Sequence, residues 1–272
     1  MSAWFSGDVI ANGIRIHYYR TEGGNPPIVL SHGATDSGLC WVRTAKALES
    51  DYDVIMPDAR GHGLSEAPES GYGPTEQAAD LADFIRVLQL DRPALGGHSM
   101  GANTSFYAAA NYPGLVRCAI LEDPPFWSAT TRGTPEEFEA RRATMRQTTN
   151  ERKAMTREAV EALGRQERPN WADEEFEPWA ESKLRVSLSF AGAIRAAAPL
   201  TWQEALPKIT CPMLLITGDP DKGGIVTPEL AEKAKDLSSQ VKVVRLSGAG
   251  HNVRREQFDG FLEAVRSFLR DN

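Results

Sequence analysis

The pentapeptide GHSMG around Ser99 constrains the fold of this chain more than any other segment. The preceding residues, 93–97, have the composition of a short buried strand, and the small residues at 101–110 favour a helix. Ser99 therefore lies on a strand-to-helix turn, and such a G-x-S-x-G turn exposes the serine hydroxyl to a substrate. We expect the adjacent strand and helix to exclude side chains at positions 97 and 101, and glycine also tolerates the unusual backbone angles of a tight turn.

Segments typical of strands and helices alternate on both sides of this turn. Residues 7–19 predict a hairpin that turns at Asn12-Gly13, because both residues accept positive φ. Further strands are predicted at 28–31, 54–57, 118–121, 212–217 and 241–246, and helices at 42–48, 75–90 with Thr75 as its N-cap, 228–237 and 256–270. Apolar strands that alternate with helices predict an α/β fold with a mostly parallel, doubly wound sheet.

The strand signals stop at two consecutive prolines, after which the composition changes. Residues 126–205 are rich in charge and in helix-forming residues, and they contain four tryptophans. We interpret them as a helical cap inserted into a core made of 1–125 and 206–272. Phe126 and Trp127, the aromatic residues nearest the sheet, are predicted to line a substrate pocket, whereas the other aromatic residues are expected to form the cap's own core.

Composition and charge argue against several classes of partner. The formal net charge of −7, with acidic residues interleaved among the basic ones, argues against nucleic acid. No apolar run approaches the roughly 18 residues of a membrane span, and no secretory leader is visible, so we expect a cytoplasmic protein without a membrane partner.

Cys40, Cys118 and Cys211 are predicted to be reduced and buried. The sequence shows no metal-binding spacing, phosphate loop or nucleotide motif, which predicts a cofactor-free protein.

Loops at the ends of the predicted strands, together with GHSMG, resemble those of the α/β-hydrolase fold family, in particular its small capped ester hydrolases. The loops that carry the resemblance are, in chain order, His32-Gly33 as the oxyanion loop, DARGHGLS at 58–65, the G-x-x-D that ends at Asp221, and Gly250-His251. The order Ser, Asp, His along the chain is also that of the family. The resemblance covers nearly the whole chain and implies the family's fold.

The resemblance also implies roles for individual residues. A serine hydroxyl is a poor nucleophile without a base, and His251, on a loop rich in glycine, is the candidate base for Ser99. A carboxylate must orient the imidazole and stabilise its charged form. The family pattern assigns this role to Asp221, while Asp219 and Asp123, which also follow predicted strands, remain alternatives.

When the serine attacks a carbonyl carbon, the carbonyl oxygen becomes an oxyanion. This oxyanion must be stabilised by preorganised N–H donors, which together form the oxyanion hole. The resemblance assigns them to the backbone of Met100, just after the nucleophile, and of Ala34, just after His-Gly. Thr35 is either an additional donor through its hydroxyl or a capping residue. Arg254 and Arg255, which follow the histidine loop, either bind an acidic substrate or are solvated at a helix start, and we expect the second.

The predicted activity is hydrolysis of a small or medium carboxylic ester or lactone through an acyl-enzyme intermediate on Ser99. Residues 97–101 correspond to the nucleophile elbow of the family. Family members that dehalogenate or open epoxides carry an aspartate at the centre of this elbow, where this chain has Ser99. The carbon–carbon bond hydrolases of the family remain an alternative, although their oxyanion loop is richer in Gly and Pro than GATDSG and they usually carry a bulkier residue than Asn252. A hydrolase-fold receptor that binds a small molecule with little turnover is the other alternative.

Overall fold

One eight-stranded sheet organises the part of the chain that the computed structural model describes, which is residues 4–22, 24–125, 134–193 and 199–272. Its strands are β1 (Phe5–Ala11), β2 (Ile14–Arg20), β3 (Pro27–Ser31), β4 (Asp53–Pro57), β5 (Ala94–His98), β6 (Ala119–Glu122), β7 (Met213–Thr217) and β8 (Val241–Arg245). They are ordered β1-β2-β4-β3-β5-β6-β7-β8. The β1–β2 and β2–β4 pairs are antiparallel and the other five are parallel, so the predicted mostly parallel sheet is confirmed.

Helices cover both faces of this sheet. In the described part of the chain they are α1 (Val42–Leu48), α2 (Pro74–Val87), α3 (Met100–Asn111), α4 (Pro135–Lys153), α5 (Arg157–Glu167), α6 (Phe176–Arg185), α7 (Leu188–Ala191), α8 (Trp202–Ala205), α9 (Pro228–Leu237), α10 (Val253–Glu256) and α11 (Phe258–Asp271). The helices α2, α3 and α9 contribute to one buried apolar core, and α1 and α11 contribute to the other. The doubly wound α/β fold is therefore confirmed.

Each parallel strand supplies residues to both cores. Val29 packs in the core with α2 and α3, whereas its neighbours Ile28 and Leu30 pack in the core with α1 and α11. Successive side chains of a strand point to opposite faces, so a strand covered on both sides must be apolar throughout. This packing explains the continuous apolar runs of the sequence.

Several predicted element boundaries differ from the structure, and two of the differences change how an element begins or is divided. Helix α2 begins at Pro74 with Gly73 as its N-cap, so Thr75 lies inside the helix and the prediction that it caps the helix is wrong. Proline is well suited to the first helical position because its φ is already helical and its missing N–H would be unpaired there. The predicted final helix is two elements, α10 and α11, separated at Gln257.

The described residues between β6 and β7 are mainly helical. Trp171, Phe176 and Trp179 form a small apolar core between α5 and α6, as expected for aromatic residues of this segment. Trp202 instead packs into the core on the α2 side of the sheet. Cys40, Cys118 and Cys211 are free thiols and buried, as predicted. Among the described residues, no helix is both long enough and apolar enough to cross a membrane.

Candidate active site

Ser99 lies between β5 and α3 at the carboxyl edge of the sheet. Its φ of 51° and ψ of −115° form a conformation that a residue other than glycine rarely adopts, with a cost of about 1–3 kcal/mol. The Ser99 N–H donates to the Glu122 carbonyl oxygen at 3.0 Å, which ties the turn to the end of β6. The predicted strand-to-helix turn is present, and it is strained at the serine itself.

Gly97 and Gly101 leave no room for side chains. A Cβ on Gly97 would overlap the Gly101 carbonyl oxygen, and a Cβ on Gly101 would overlap the Ser31 carbonyl oxygen. Both obstacles are backbone atoms, which cannot rotate away as the end of a side chain can. The expectation that strand and helix exclude side chains at both positions is confirmed.

His251 lies on the loop after β8, and its ring packs against the elbow. The ring centroids of His251 and His98 are 4.6 Å apart, and His98 Nε2 donates to the His251 carbonyl oxygen at 3.0 Å. Because β8 is separated from β5 by β6 and β7, the loop must cross the ends of both strands to reach His98. This path brings His251 to the edge of the sheet where Ser99 lies.

Asp123, directly after β6, is the carboxylate in contact with His251. Its Oδ2 accepts from His251 Nδ1 at 2.7 Å and from the Ile225 N–H at 2.8 Å, and its Oδ1 accepts from the Val226 N–H at 2.9 Å. The residue is fully buried, so three donors surround a carboxylate that water does not reach. The expectation that Asp221 pairs with the histidine is wrong.

The loop after β7 explains why Asp221 is elsewhere. Asp219 accepts from the Gly248 N–H at 2.7 Å and from Arg245 Nη2 at 2.8 Å, and these contacts hold its pKa below the usual value. The chain then forms a 3-10 turn, Pro220–Lys222, that contains no buried residue, and Asp221 is exposed on it. The Asp219 side chain therefore joins the loop after β7 to the loop after β8.

Glu122, the last residue of β6, anchors the segment that follows His251. It accepts from the Arg254 N–H at 2.8 Å and from the Arg254 guanidinium at 3.1 Å. Burial raises the pKa of Glu122, and the arginine opposes that shift. Arg255 pairs with Glu175 at 2.9 Å. The expectation of two solvated arginines is wrong, because both side chains are buried and paired with the protein's own carboxylates.

The candidate oxyanion loop turns back just beyond β3. The Asp36 N–H donates to the Gly33 carbonyl oxygen at 3.1 Å, which closes a four-residue turn. Gly33 touches the elbow, since a Cβ there would lie 2.6 Å from His98 Nδ1 and 3.5 Å from Ser99 Cβ. Glycine at this position lets the loop approach the nucleophile candidate closely.

The two residues assigned to the oxyanion hole lie on either side of this contact. Ala34 and Met100 pack against one small apolar cluster that contains Tyr72 and Phe190. Met100 is the first residue of α3, so its N–H has no acceptor within the helix. Met100 directly follows Ser99 in the chain, and Ala34 directly follows Gly33, whose Cβ position lies 3.5 Å from Ser99 Cβ.

Three other histidines have structural partners in this region. His32 Nε2 accepts from the Ala59 N–H at 2.9 Å and His62 Nε2 accepts from the Thr35 N–H at 3.2 Å, so both rings are neutral. Burial lowers the pKa of His98 well below its ordinary value, with a smaller contribution from a nearby guanidinium. These rings shape the loops around the site.

A cavity of about 480 Å³ lies between the candidate oxyanion loop and α4. The described residues that line it are Thr35, Ala140, Arg141, Thr144, Met145, Thr148, Thr149 and Arg152, and these include two cations and no carboxylate. Met145 also belongs to the apolar cluster that holds Ala34 and Met100, so the cavity adjoins the candidate oxyanion groups. Phe126 and Trp127, predicted to line the pocket, lie outside the described residues.

Glu122 and Lys183 also belong to this region, although neither was predicted from the sequence to be a site residue. A carboxylate that ends a buried strand directly before Asp123 was a signal for Glu122. Lys183 gave none, because it lies in α6 among charged residues that are typical of an exposed helix.

Comparisons with known proteins place the chain in a family. The model of the alpha/beta hydrolase fold family matches residues 26–254. The chain is 32% identical to N-formylmaleamate deformylase of Pseudomonas putida over 97% of this chain and 96% of the relative. It is 31% identical to 2-(acetamidomethylene)succinate hydrolase of Mesorhizobium japonicum over 92% and 90% of the two chains. The crystal structure of E-2-(acetamidomethylene)succinate hydrolase superposes with a TM-score of 0.79 at 25% identity, covering 98% of this chain and 100% of the other. The chain belongs to the α/β-hydrolase fold family, and it is a hydrolase.

Proposed function

We propose that this hydrolase uses Ser99 as nucleophile, His251 as base and Asp123 as the orienting acid. The observation that carries the proposal is the 2.7 Å contact of His251 Nδ1 with the buried Asp123 carboxylate, on a ring that packs against the elbow. A histidine that donates from Nδ1 has its Nε2 unprotonated and able to accept the serine proton. Asp123 thus takes the role that the family pattern assigns to Asp221.

The reaction proceeds by acyl transfer. Ser99 Oγ attacks the substrate carbonyl carbon while His251 Nε2 takes the hydroxyl proton, and Asp123 stabilises the imidazolium that forms. The carbonyl oxygen becomes an oxyanion that accepts from the N–H groups of Ala34 and Met100, each worth about 2.7–4 kcal/mol. The imidazolium protonates the leaving alcohol, and a water molecule then repeats these steps on the acyl-enzyme to release the acid.

The substrate class we propose is a small or medium carboxylic ester or lactone. The cavity beside α4 favours an acyl group that carries a carboxylate, because its described lining contains Arg141, Arg152 and four threonines but no acidic residue. We further propose that residues 126–205 form a cap on the core and select among acyl groups, with Phe126 and Trp127 at the pocket.

Hydrolysis of N-acyl amides is the second candidate. Two relatives that align over at least nine-tenths of both chains are named for N-formylmaleamate and 2-(acetamidomethylene)succinate. Both names denote an acylated nitrogen in a molecule that also bears a carboxylate, which agrees with the cationic lining of the cavity. The same residues serve an amide, since the leaving nitrogen also takes its proton from His251. Carbon–carbon hydrolysis and a receptor with little turnover stay as alternatives.

A matched substrate panel tests the proposal. One acyl group is presented as an aryl ester, a lactone, an N-formyl or N-acetyl amide and a β-diketone, and kcat/KM is measured for wild type and Ser99→Ala. We expect turnover of the ester and lactone, loss of all turnover in Ser99→Ala, and labelling of Ser99 by a serine-directed phosphonate. Faster amide cleavage supports the second candidate, and faster β-diketone cleavage supports the carbon–carbon alternative. A burst of acylation without turnover indicates a receptor.

A further inference from the structure

Lys183, on α6, places its ammonium against the loop of the candidate oxyanion hole. The side chain is 5% exposed. Its Nζ donates to the Thr35 carbonyl oxygen at 2.9 Å, to Thr35 Oγ1 at 3.0 Å and to Asp36 Oδ1 at 2.7 Å. An ammonium has three N–H donors. All three are therefore taken by the two residues that follow Ala34.

Thr35 has a backbone conformation that needs such support. Its φ is 65°, in the left-handed region that a β-branched residue rarely occupies. Such a residue costs about 1–3 kcal/mol and persists only where its surroundings impose it. Thr35 is the third residue of the Gly33–Asp36 turn, a position where positive φ normally selects glycine or asparagine. On its other side, the Thr35 N–H donates to His62 Nε2 at 3.2 Å.

The oxyanion donor assigned to Ala34 belongs to the same turn. If Thr35 relaxed to a negative φ, the peptide between Ala34 and Thr35 would rotate, the turn would change shape and Ala34 would shift relative to Ser99. A displacement of about 1 Å in a catalytic group costs roughly 100-fold in rate. The contacts of Lys183 therefore bear on the rate of the chemical step, because they hold the conformation of the turn.

We propose that Lys183 is a positioning residue, which holds the Gly33–Asp36 turn in the shape that presents the Ala34 N–H to the oxyanion. Because Lys183 belongs to the proposed cap, efficient turnover then requires the cap to be docked on the core. This inference rests on the proposed function, since it presumes an oxyanion formed beside Ser99.

The other partners of Asp36 make a variant of Lys183 feasible. The Asp36 carboxylate also lies 3.2 Å from Arg255 Nη1 and 3.6 Å from Arg254 Nη2. Both arginines come from the segment after β8 and remain when Lys183 is replaced. Asp36 is therefore not left as an unpaired buried charge, and we expect Lys183→Met to fold with a lowered melting temperature.

Lys153 offers a matched control in the same segment. Its Nζ donates to the Leu184 carbonyl oxygen at 2.6 Å and to the Val186 carbonyl oxygen at 2.9 Å. These bonds join α4 to the end of α6 without touching the oxyanion loop. Lys153→Met thus removes a lysine that stabilises the helical segment but leaves the Gly33–Asp36 turn unchanged.

The test compares the two methionine variants on a small uncharged ester, which measures kcat apart from binding of a charged group. We expect Lys183→Met to lower kcat by roughly 10- to 100-fold with KM changed by less than about threefold. Lys153→Met is expected to keep the wild-type kcat. Melting temperatures of both variants are measured, so that a loss of stability is not read as a loss of catalysis.

A second variant separates positioning from general stabilisation. Glycine adopts a positive φ at little cost, so Thr35→Gly should hold the turn without Lys183. In the Thr35→Gly background, Lys183→Met is therefore expected to change kcat only a little, whatever its effect on the melting temperature. If Lys183→Met does not fold, Lys183→Gln replaces it with the same expectations.

Two results would overturn the inference. One is a kcat of Lys183→Met that equals that of Lys153→Met, and the other is a loss in kcat of the same size in the wild-type and Thr35→Gly backgrounds. Wild-type ester turnover and phosphonate labelling of Ser99 report separately on the proposed function. If both are absent the proposed function fails, whereas if both are present and Lys183→Met is unimpaired only the positioning role fails.

Discussion

Replacement of Asp123 by asparagine tests the candidate acid most directly. The carboxylate receives three N–H donors, His251 Nδ1 and Ile225 N at one oxygen and Val226 N at the other. An asparagine offers one oxygen and one NH2 group. If its oxygen faces His251, the NH2 group opposes the Val226 N–H. In the reverse orientation it opposes His251 Nδ1 and forces the proton to Nε2, which is then no longer a base. Either orientation removes the negative charge that stabilises the imidazolium.

The magnitudes follow from this geometry. We expect Asp123→Asn to lower kcat by up to roughly 10⁴-fold, as for other triads that lose their aspartate. One unsatisfied buried donor should also lower the free energy of unfolding by about 1–3 kcal/mol. Asp221→Asn is the matched control, because Asp221 is exposed on its 3-10 turn, and it should keep the wild-type kcat. The kcat of Asp219→Asn should lie between those of these two variants, because the substitution weakens the bond to the loop that carries Gly248.

The assay is kcat on the best ester of the panel, corrected for the fraction of protein that a phosphonate titrates at Ser99. Urea unfolding of each variant reports whether the fold is intact. A large loss of kcat in Asp221→Asn, with Asp123→Asn close to wild type, would refute the assignment. So would an Asp123→Asn variant whose lower activity is fully explained by its unfolded fraction.

Three further predictions concern packing and charge. Gly101→Ala, whose Cβ overlaps a backbone carbonyl, should lower the melting temperature and activity far more than Gly114→Ala, whose Cβ meets nothing within 4 Å; equal melting temperatures would contradict this. Arg254→Met leaves the Glu122 carboxylate buried without its guanidinium and should lower the free energy of unfolding, measured in urea, by about 3–5 kcal/mol; a change near zero would count against it. The pKa of His98 is depressed in the folded state, so only the neutral ring is compatible with the fold. The stability that His98 contributes is therefore present above about pH 6.5. It is lost as the pH falls, because the unfolded chain then binds a proton at His98 that the folded chain does not. The difference in unfolding free energy between wild type and His98→Asn should therefore shrink below that pH, by up to about 1.4 kcal/mol per pH unit, and a pH-independent difference would contradict it.

The features that the sequence predicted well are those set by neighbouring residues along the chain. A buried parallel strand is apolar throughout, so the strand at 28–31 is visible without knowledge of its partners. The turn at Ser99 is equally local, because Gly97 and Gly101 are required by backbone atoms of the elbow itself and of the strand beside it. The hairpin turn at Asn12-Gly13, with φ values of 48° and 77°, follows from the same local logic.

Which carboxylate contacts His251 depends on the path of the loop after β8 in space. Asp123 and Asp221 both follow strands at the carboxyl edge of the sheet, so the sequence alone offered both as partners of the histidine. Strand β6 lies directly beside β5, whereas β7 is one position further away. A histidine that crosses both strand ends to reach His98 therefore meets the carboxylate of β6. The spacing of these residues in the sequence does not indicate how many strand ends the loop after β8 crosses before His251 reaches His98.

Charged residues at the interface between the helical segment and the core were also unpredictable from their surroundings in sequence. Arg254 and Arg255 begin a short helix, and Lys183 lies in a charged helix, so each is typical of a solvated position. In the structure all three are buried. Burial is tolerable because each finds a carboxylate far away in the chain.

The polarity of these pairs restricts how the segment between β6 and β7 docks on the core. That segment contributes the cation Lys183 to the core anion Asp36, and the anion Glu175 to the core cation Arg255. Because the two pairs have opposite polarity, a displaced segment would bring like charges together, and buried like charges are strongly unfavourable. The docking that satisfies both pairs is also the one in which Lys183 reaches Thr35. The charge pattern that selects the docked arrangement thus selects the shape of the candidate oxyanion loop.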